Sequence, residues 1–218
     1  MKRIRYRSDD SYLHEEIVGL LCESFGAKYL DYYLLQLEHL PTPQHTKLLV
    51  DDEGGLVAFT QIVDYKLRIR RGEPPLRAAY LYSVCTAERA QGEGVMSRFM
   101  KEILEELRAE GYALAFLVPA EDWLVTYYKR FGFIWQDSII YEKAPKDATP
   151  LLFPDKLAQD YLNAVAQYEQ KHLSQKQFEN QRQQEWRPML PAPICWMSLM
   201  LDSQLLLPQS LPLVNPLT

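Results

Sequence analysis

Apolar and polar positions alternate from Arg3 to Arg7, which predicts a short first strand. Leu13, Ile17, Leu20, Leu21 and Phe25 then recur at helical spacing up to Gly26. Leu30, Tyr33, Leu34 and Leu37 form a second helical stripe, closed by Pro41 and Pro43. Lys47 to Asp51 and Leu56 to Tyr65 flank the polar turn Asp52-Glu53-Gly54-Gly55, so a β-hairpin is expected there. Lys66 to Pro75 is basic and reads as a turn, and Ala78 to Thr86 as the next strand. From Val95 onward, Met96, Phe99, Met100, Ile103, Leu104 and Leu107 repeat at three and four residues. Arg98, Lys101, Glu102, Glu105, Glu106 and Arg108 take the other face, which predicts an amphipathic helix ending at Gly111. Ala113 to Val118 is uniformly apolar. It predicts a strand buried on both faces and parallel to the one before the helix, through a right-handed crossover.

Beyond Lys143 the pattern changes. Ala144 to Pro150 is a polar, proline-bounded connector. Asp155 to Glu185 is glutamine-rich and helical in propensity, with a thin stripe of Leu157, Tyr161, Val165 and Tyr168 that suits docking on a main domain. Pro188, Pro191 and Pro193 lead into Ile194 to Leu201, one more apolar strand, and then a Leu/Pro tail from Leu205 to Leu217. That tail suits packing on its own body or on a partner, which leaves homo-oligomer formation open.

The middle of the chain holds the candidate chemistry. Gly92 and Gly94 lie where a strand hands over to a helix, so the backbone there is free to take positive φ and to approach a ligand closely. The first amides of the following helix lack internal partners and carry the positive end of its dipole, a setting for an anion such as a phosphate. The turn is not a Walker P-loop, because no Lys-Ser or Lys-Thr pair follows the second glycine. Nor is it the Rossmann fingerprint, since Ser97 stands where that motif requires its third glycine.

Arg89-Ala90-Gln91-Gly92-Glu93-Gly94 resembles motif A of the GNAT superfamily of acetyltransferases, which lies between a strand and a helix. The stretch Trp123 to Phe133 resembles the family's motif B, with Tyr128 five residues before the phenylalanine of Gly132-Phe133. Pro119-Ala120-Glu121, with Tyr128-Lys129-Arg130-Phe131-Gly132, is most similar to the Eis-like branch. The resemblance covers roughly residues 1–143. It implies an α/β fold: a mixed, mostly antiparallel sheet flanked by helices, with a central splayed pair of parallel strands. Residues 144–218 would then be a C-terminal helical extension ending in a strand.

The resemblance also implies acetyl-CoA as cosubstrate. Its pantetheine arm would pair, like an added strand, with the backbone at a bulge in the strand ending at Thr86, so the side chains of Ser83, Val84, Cys85 and Thr86 matter less than their N–H and C=O groups. Its diphosphate would lie against Arg89, Gln91, Gly92, Glu93, Gly94, Val95 and Met96, with Arg130 as a further source of charge. Tyr29, Tyr32 and Tyr33, on the helices that form one lip of the acceptor site in this fold, are candidates for substrate contact or simple packing. Tyr128 takes the family's general-acid position. Tyr127 is its rival, and the stripe Trp123, Leu124, Tyr127 and Phe131 makes Tyr127 the expected core residue. Glu121 and Asp122 serve either as a base or the helix dipole.

Composition narrows the remaining choices. Of 218 residues, 47% are hydrophobic and 24% charged, so a packed core is expected. The formal net charge of −5, with no basic stripe, argues against nucleic acid as a partner. Cys22, Cys85 and Cys195 are widely spaced and fit a reducing cytoplasm better than a disulfide framework or a zinc site. Acidic residues interrupt the basic N-terminus before signal-peptide length, and no apolar run reaches a membrane span, so neither membrane nor metal is expected. No histidine neighbours Cys85 in sequence to activate it, which favours a small buried hydrophobe and direct transfer through a ternary complex. Three readings stay open: an N-acetyltransferase acting on a primary amine, a catalytically silent CoA-binding or sensing module, and an interaction protein.

Overall fold

The structure, a computed structural model, describes residues 1–40, 42–136, 140–141, 146, 149–172, 196–202 and 213–214. It divides into two compact units, residues 1–63 with 81–106 and residues 64–80 with 107–218. Strands β3 (Leu56–Arg68) and β4 (Leu76–Thr86) and helix α3 (Val95–Ala109) run from one unit into the other.

The first unit also contains β1 (Lys2–Arg5), α1 (Ser11–Phe25), α2 (Leu30–His39) and β2 (Thr46–Val50). Helix α1 starts where the Asp10 carboxylate accepts from the Leu13 N–H at 3.1 Å, and it stops at Gly26, whose φ is 100°. Strands β1 and β2 pair antiparallel with Ile4 opposite Leu48, and β2 pairs antiparallel with β3, Leu48 opposite Phe59. Asp51 closes the hairpin by accepting the N–H groups of Glu53 and Gly55, so the expected polar glycine turn is built on an aspartate. Ile17, Leu21, Leu48 and Phe59 form the centre of the core, with Cys85 packed among them. The second helical stripe is narrower than its periodicity suggests: Tyr33 and Leu37 are buried, whereas Leu30 and Leu34 are 41% and 42% exposed. Lys47, 4% exposed, extends from β2 to the Glu106 carboxylate, which also accepts from Arg3 at 2.8 Å. This pairing lets a lysine occupy a buried strand position.

The second unit contains β5 (Leu114–Leu117), α4 (Asp122–Lys129), β6 (Ile134–Gln136), β7 (Ile140–Tyr141), β8 (Leu151–Pro154), α5 (Lys156–His172), β9 (Trp196–Met200) and β10 (Leu213–Val214). Its strand order is β6-β9-β5-β4-β3-β8-β10-β7. The pairs β3–β8, β5–β9 and β6–β9 are antiparallel, β10 runs parallel to β7 and β8, and β4 with β5 forms the expected parallel pair, Ala78 to Tyr80 facing Leu114 to Phe116. The crossover helix α3 ends in a Schellman motif: the Gly111 N–H donates to the Arg108 carbonyl and the Tyr112 N–H to the Leu107 carbonyl, with Gly111 at φ 79°. Every residue of β5 is buried, as its uniform apolarity predicts. In the interior Phe116 stacks on Tyr80 at 4.9 Å between ring centres and meets Tyr65 edge-on at 5.0 Å.

One departure from the sequence pattern has a plain cause. Lys66 to Arg68 continue β3 rather than turning, because the short strand β8 pairs with them and buries Leu67 while Lys66 and Arg68 point outward. Strand β9 lies between β5 and β6, pairing antiparallel with both, so the predicted C-terminal strand does enter the sheet. The calculated stripe of α5 is shifted by one residue at each end: Ala158, Tyr161, Val165 and Glu169 are its buried positions. The expected helix beyond His172, the proline segment and most of the Leu/Pro tail, with Cys195, lie outside the described residues.

Candidate functional site

The ten residues expected to hold the cosubstrate, from Val84 to Met96, all belong to the first unit, along one strand, one turn and one helix. After β4, the Ala87 N–H donates to the Val57 carbonyl and the Glu88 N–H to the Glu23 carboxylate, which anchors the turn to β3 and α1. Gly92 has φ 79° and Gly94 φ 73°, conformations that L side chains rarely adopt. A Cβ at either position would meet no protein atom within 4 Å, so backbone conformation, not crowding within the protein, requires glycine there. The hydrogen bonds of α3 begin with the Arg98 N–H donating to the Gly94 carbonyl, which leaves the amides of its first turn ahead of the ladder. The expected anion-binding residues thus lie at the entrance of a 15-residue helix reached through two glycines.

The polar side chains of the turn have local partners. Gln91 donates to the Thr86 carbonyl at 3.1 Å, bracing the strand end against the turn. Arg89 donates to the Asp51 carboxylate at 2.8 Å and to the Leu56 carbonyl at 3.1 Å, so its guanidinium clamps the β2–β3 hairpin. The Arg89 hydrogen bond holds the Asp51 carboxyl below its ordinary range. Glu93 is exposed, Met96 half-buried and Val95 buried at the start of the α3 core face.

In β4 the backbone departs from regular strand geometry at Ser83, whose φ is 55°. Cys85 is buried, and burial pushes its thiol up to about 12. A thiol so protonated is a poor nucleophile near neutral pH, in keeping with the small hydrophobe read from the sequence.

Tyr128 lies on α4 in the second unit. Here the packing reverses the helical-stripe expectation: Tyr128 is the buried residue at 5% exposure, Tyr127 is half-buried, and Trp123 is 62% exposed. Trp123 sits at the N-terminal end of α4, where its indole N–H donates to the Glu121 carboxylate, and so it cannot serve as the start of a core stripe. Tyr128 packs edge-on against Tyr127 and Phe133, at 5.2 and 5.9 Å between ring centres. Arg130 lies over the Tyr127 ring at 4.8 Å. Glu121 and Asp122 are exposed at the start of α4.

Among the three tyrosines of the first helices, Tyr33 is a packing residue whose hydroxyl donates to the Gly26 carbonyl at 2.9 Å. Tyr29 and Tyr32 meet edge to face and are half-buried. Sequence reading passed over Gln36 and Gln61, both buried and hydrogen-bonded to each other at 2.7 Å. The signal for them was a polar residue inside an apolar stripe, Gln36 beside Leu37 and Gln61 within Leu56 to Val63. Among the described residues, no group of three or more His, Cys, Asp or Glu is arranged to hold a metal, and no helix is long and apolar enough to cross a membrane.

Comparison with known proteins gives a consistent result. The family described as Acetyltransferase (GNAT) domain matches residues 5–135. Similar solved structures include a GCN5-related N-acetyltransferase from Kribbella flavida, at 20% identity and a TM-score of 0.50, covering 62% of this chain and 33% of that one. Eis1 from Mycobacterium abscessus is 14% identical with a TM-score of 0.47, covering 61% and 32%. Aminoglycoside 6'-acetyltransferase type Ii is 13% identical with a TM-score of 0.51, covering 93% and 98%. The chain thus spans about a third of the length of the Kribbella and Mycobacterium proteins. No curated protein matches the sequence. With that family match extending over more than half of its residues, and with the strand, glycine turn and helix that its motif A requires, the chain belongs to the GNAT acetyltransferase family.

Proposed function

We propose that this chain transfers an acetyl group from acetyl-CoA to a primary amine, directly and within a ternary complex. The observation that carries this reading is the positive-φ pair Gly92 and Gly94 ahead of the α3 N-terminus, in a chain of this family. Acetyl-CoA supplies an acetyl group already activated as a thioester. Gln91, Gly92, Glu93, Gly94, Val95 and Met96 receive the diphosphate, chiefly through backbone N–H groups, while the backbone of Val84, Cys85 and Thr86 receives the pantetheine arm. Arg89 fixes the position of the turn through Asp51 and adds positive charge at its rim.

An amine attacks only as the neutral base, so a proton must leave it, and the departing thiolate gains from a proton supplied in a dry site. Tyr128 is the donor in this reading. As the N–C bond forms and the C–S bond breaks, its hydroxyl protonates the sulfur, and the proton released by the amine returns through water to the tyrosinate. Its burial suits a site that excludes bulk water. The raised Cys85 thiol supports direct transfer over an acyl-enzyme. Residues 1–143 carry the transfer, and residues 144–218 form an extension in which β8 pairs with β3, β9 with β5 and β6, and β10 with β7 and β8. A cytoplasmic setting fits the scattered cysteines.

Titration calorimetry with acetyl-CoA, followed by a panel of polyamine, aminoglycoside, amino-acid and peptide amines, tests the proposal. Saturable binding and amine-dependent release of CoA are expected. Binding without turnover on any amine would favour the silent CoA-sensing module, and no binding would favour the interaction protein.

A further inference from the structure

Strand β4 contains the one residue, among the described residues other than glycine, that has positive φ: Ser83 at 55°. A Cβ in the left-handed region crowds the neighbouring backbone, so this conformation needs support from its surroundings. Ser83 Oγ donates to Gln36 Oε1 at 3.2 Å, and Gln36 Nε2 donates to Gln61 Oε1 at 2.7 Å. Gln61 Nε2 donates in turn to the Leu40 carbonyl at 3.2 Å and to Thr46 Oγ1 at 3.3 Å. On the adjoining residue, the Tyr82 carbonyl accepts from the Thr60 hydroxyl at 2.9 Å. Gln36 and Gln61 are buried almost completely, so these bonds form in a dry setting where leaving one unmade is costly.

The network is more than packing requires, since apolar residues at 36 and 61 would fill the same space without polar atoms to satisfy. What it adds is a fixed conformation at one point of β4. Tyr82, Ser83 and Val84 are half-exposed, while Ala78 to Leu81 before them and Cys85 after them are buried. The supported residue therefore sits in the stretch of the strand that a ligand is able to reach.

We propose that the Gln36–Gln61 pair is a positioning device: it holds Ser83 in its left-handed conformation and thereby sets the direction in which the backbone N–H and C=O groups of Val84 to Thr86 meet an extended, amide-bearing acyl arm. This inference rests on the reading that acetyl-CoA is the cosubstrate and lies along β4. Gln36 and Gln61 act through Ser83 and touch no reacting atom.

The test compares Ser83→Ala with Ser83→Gly. Alanine keeps the Cβ penalty and loses the bond to Gln36, whereas glycine loses the bond and the penalty together. Calorimetry is done with acetyl-CoA and with 3′-phospho-ADP, the portion of CoA without the pantetheine arm. Ser83→Ala should weaken acetyl-CoA binding about tenfold, the size of a left-handed Cβ penalty, and Ser83→Gly by no more than about threefold. Binding of 3′-phospho-ADP should be the same in parent and variants, and the loss in Ser83→Ala should appear in KM with little change in kcat. Gln36→Leu should reproduce the alanine effect and should be partly rescued in Gln36→Leu/Ser83→Gly. Equal affinities for acetyl-CoA in the alanine and glycine variants, or equal losses for both ligands, would overturn the device. A parent chain that binds neither ligand would overturn the cosubstrate reading, and the inference with it.

Discussion

Tyr127 and Tyr128 are adjacent on α4, so their side chains leave the helix about 100° apart and do different work. Tyr127 packs against Phe131 and beneath the Arg130 guanidinium, while Tyr128 is turned into the interior of its unit. If Tyr128 protonates the leaving sulfur, Tyr128→Phe removes one hydroxyl and leaves the ring packing in place. Turnover with a good amine should then fall on the order of 10²-fold, with acetyl-CoA affinity close to that of the parent. Tyr127→Phe should retain parental turnover. Steady-state kinetics and calorimetry on the two variants check this, and full activity in Tyr128→Phe would leave proximity alone to account for the rate. A second residue-scale pair concerns ionisation. Burial pushes the Glu106 carboxyl up, but hydrogen bonds from Lys47 and Arg3 outweigh it and hold the group below its ordinary 4.5. Because the folded value is depressed, the stabilisation is complete above that ordinary value and is lost as pH falls through the depressed one. Glu106→Gln should cost about 2 kcal/mol near neutral pH, since it removes the carboxylate that pairs with Arg3 and with the buried Lys47. The gap between variant and parent should narrow in acid, which urea unfolding at a series of pH values measures.

At the scale of elements, the strand–turn–helix from β4 to α3 is where the sequence was most legible. Its apolar run, paired glycines and long amphipathic stripe are local features, each with one dominant period. Gly94→Val places a β-branched residue at φ 73°, a strain of about 1–3 kcal/mol, and puts a side chain where the proposed reading brings the diphosphate. It should weaken acetyl-CoA binding tenfold or more, on the order of that strain. Arg89→Ala should have the smaller effect, since its guanidinium is half-exposed and engaged with Asp51. Equal affinity in a folded Gly94→Val would remove the phosphate role of the turn. What was not legible depended on distant partners. Strand β8 is short and gains its status by pairing with Tyr65 to Arg68. The reversal of Tyr127 and Tyr128 follows from Trp123 lying at the helix entrance with its indole on Glu121, which a periodicity count cannot see. Ser83 has no local signal for positive φ, because Gln36 supports it from 47 positions away.

For the whole molecule, fold class and family were readable because both motifs fall at the expected separation within the residues that match the GNAT domain. The slot of β9 between β5 and β6 was not, since strand order is a property of the assembled sheet. Acyl transfer from a thioester needs no Lewis acid, so treatment with EDTA should leave acetyl transfer unchanged. Loss of activity restored by zinc would contradict this. The central claim is that this chain acetylates an amine, and continuous detection of free thiol from acetyl-CoA tests it most directly. The parent should release CoA at a rate that depends on the presence and concentration of at least one primary amine in the panel, with Gly94→Val impaired in the same assay. A chain that binds acetyl-CoA yet releases no thiol above the amine-free background with every amine tested would contradict it.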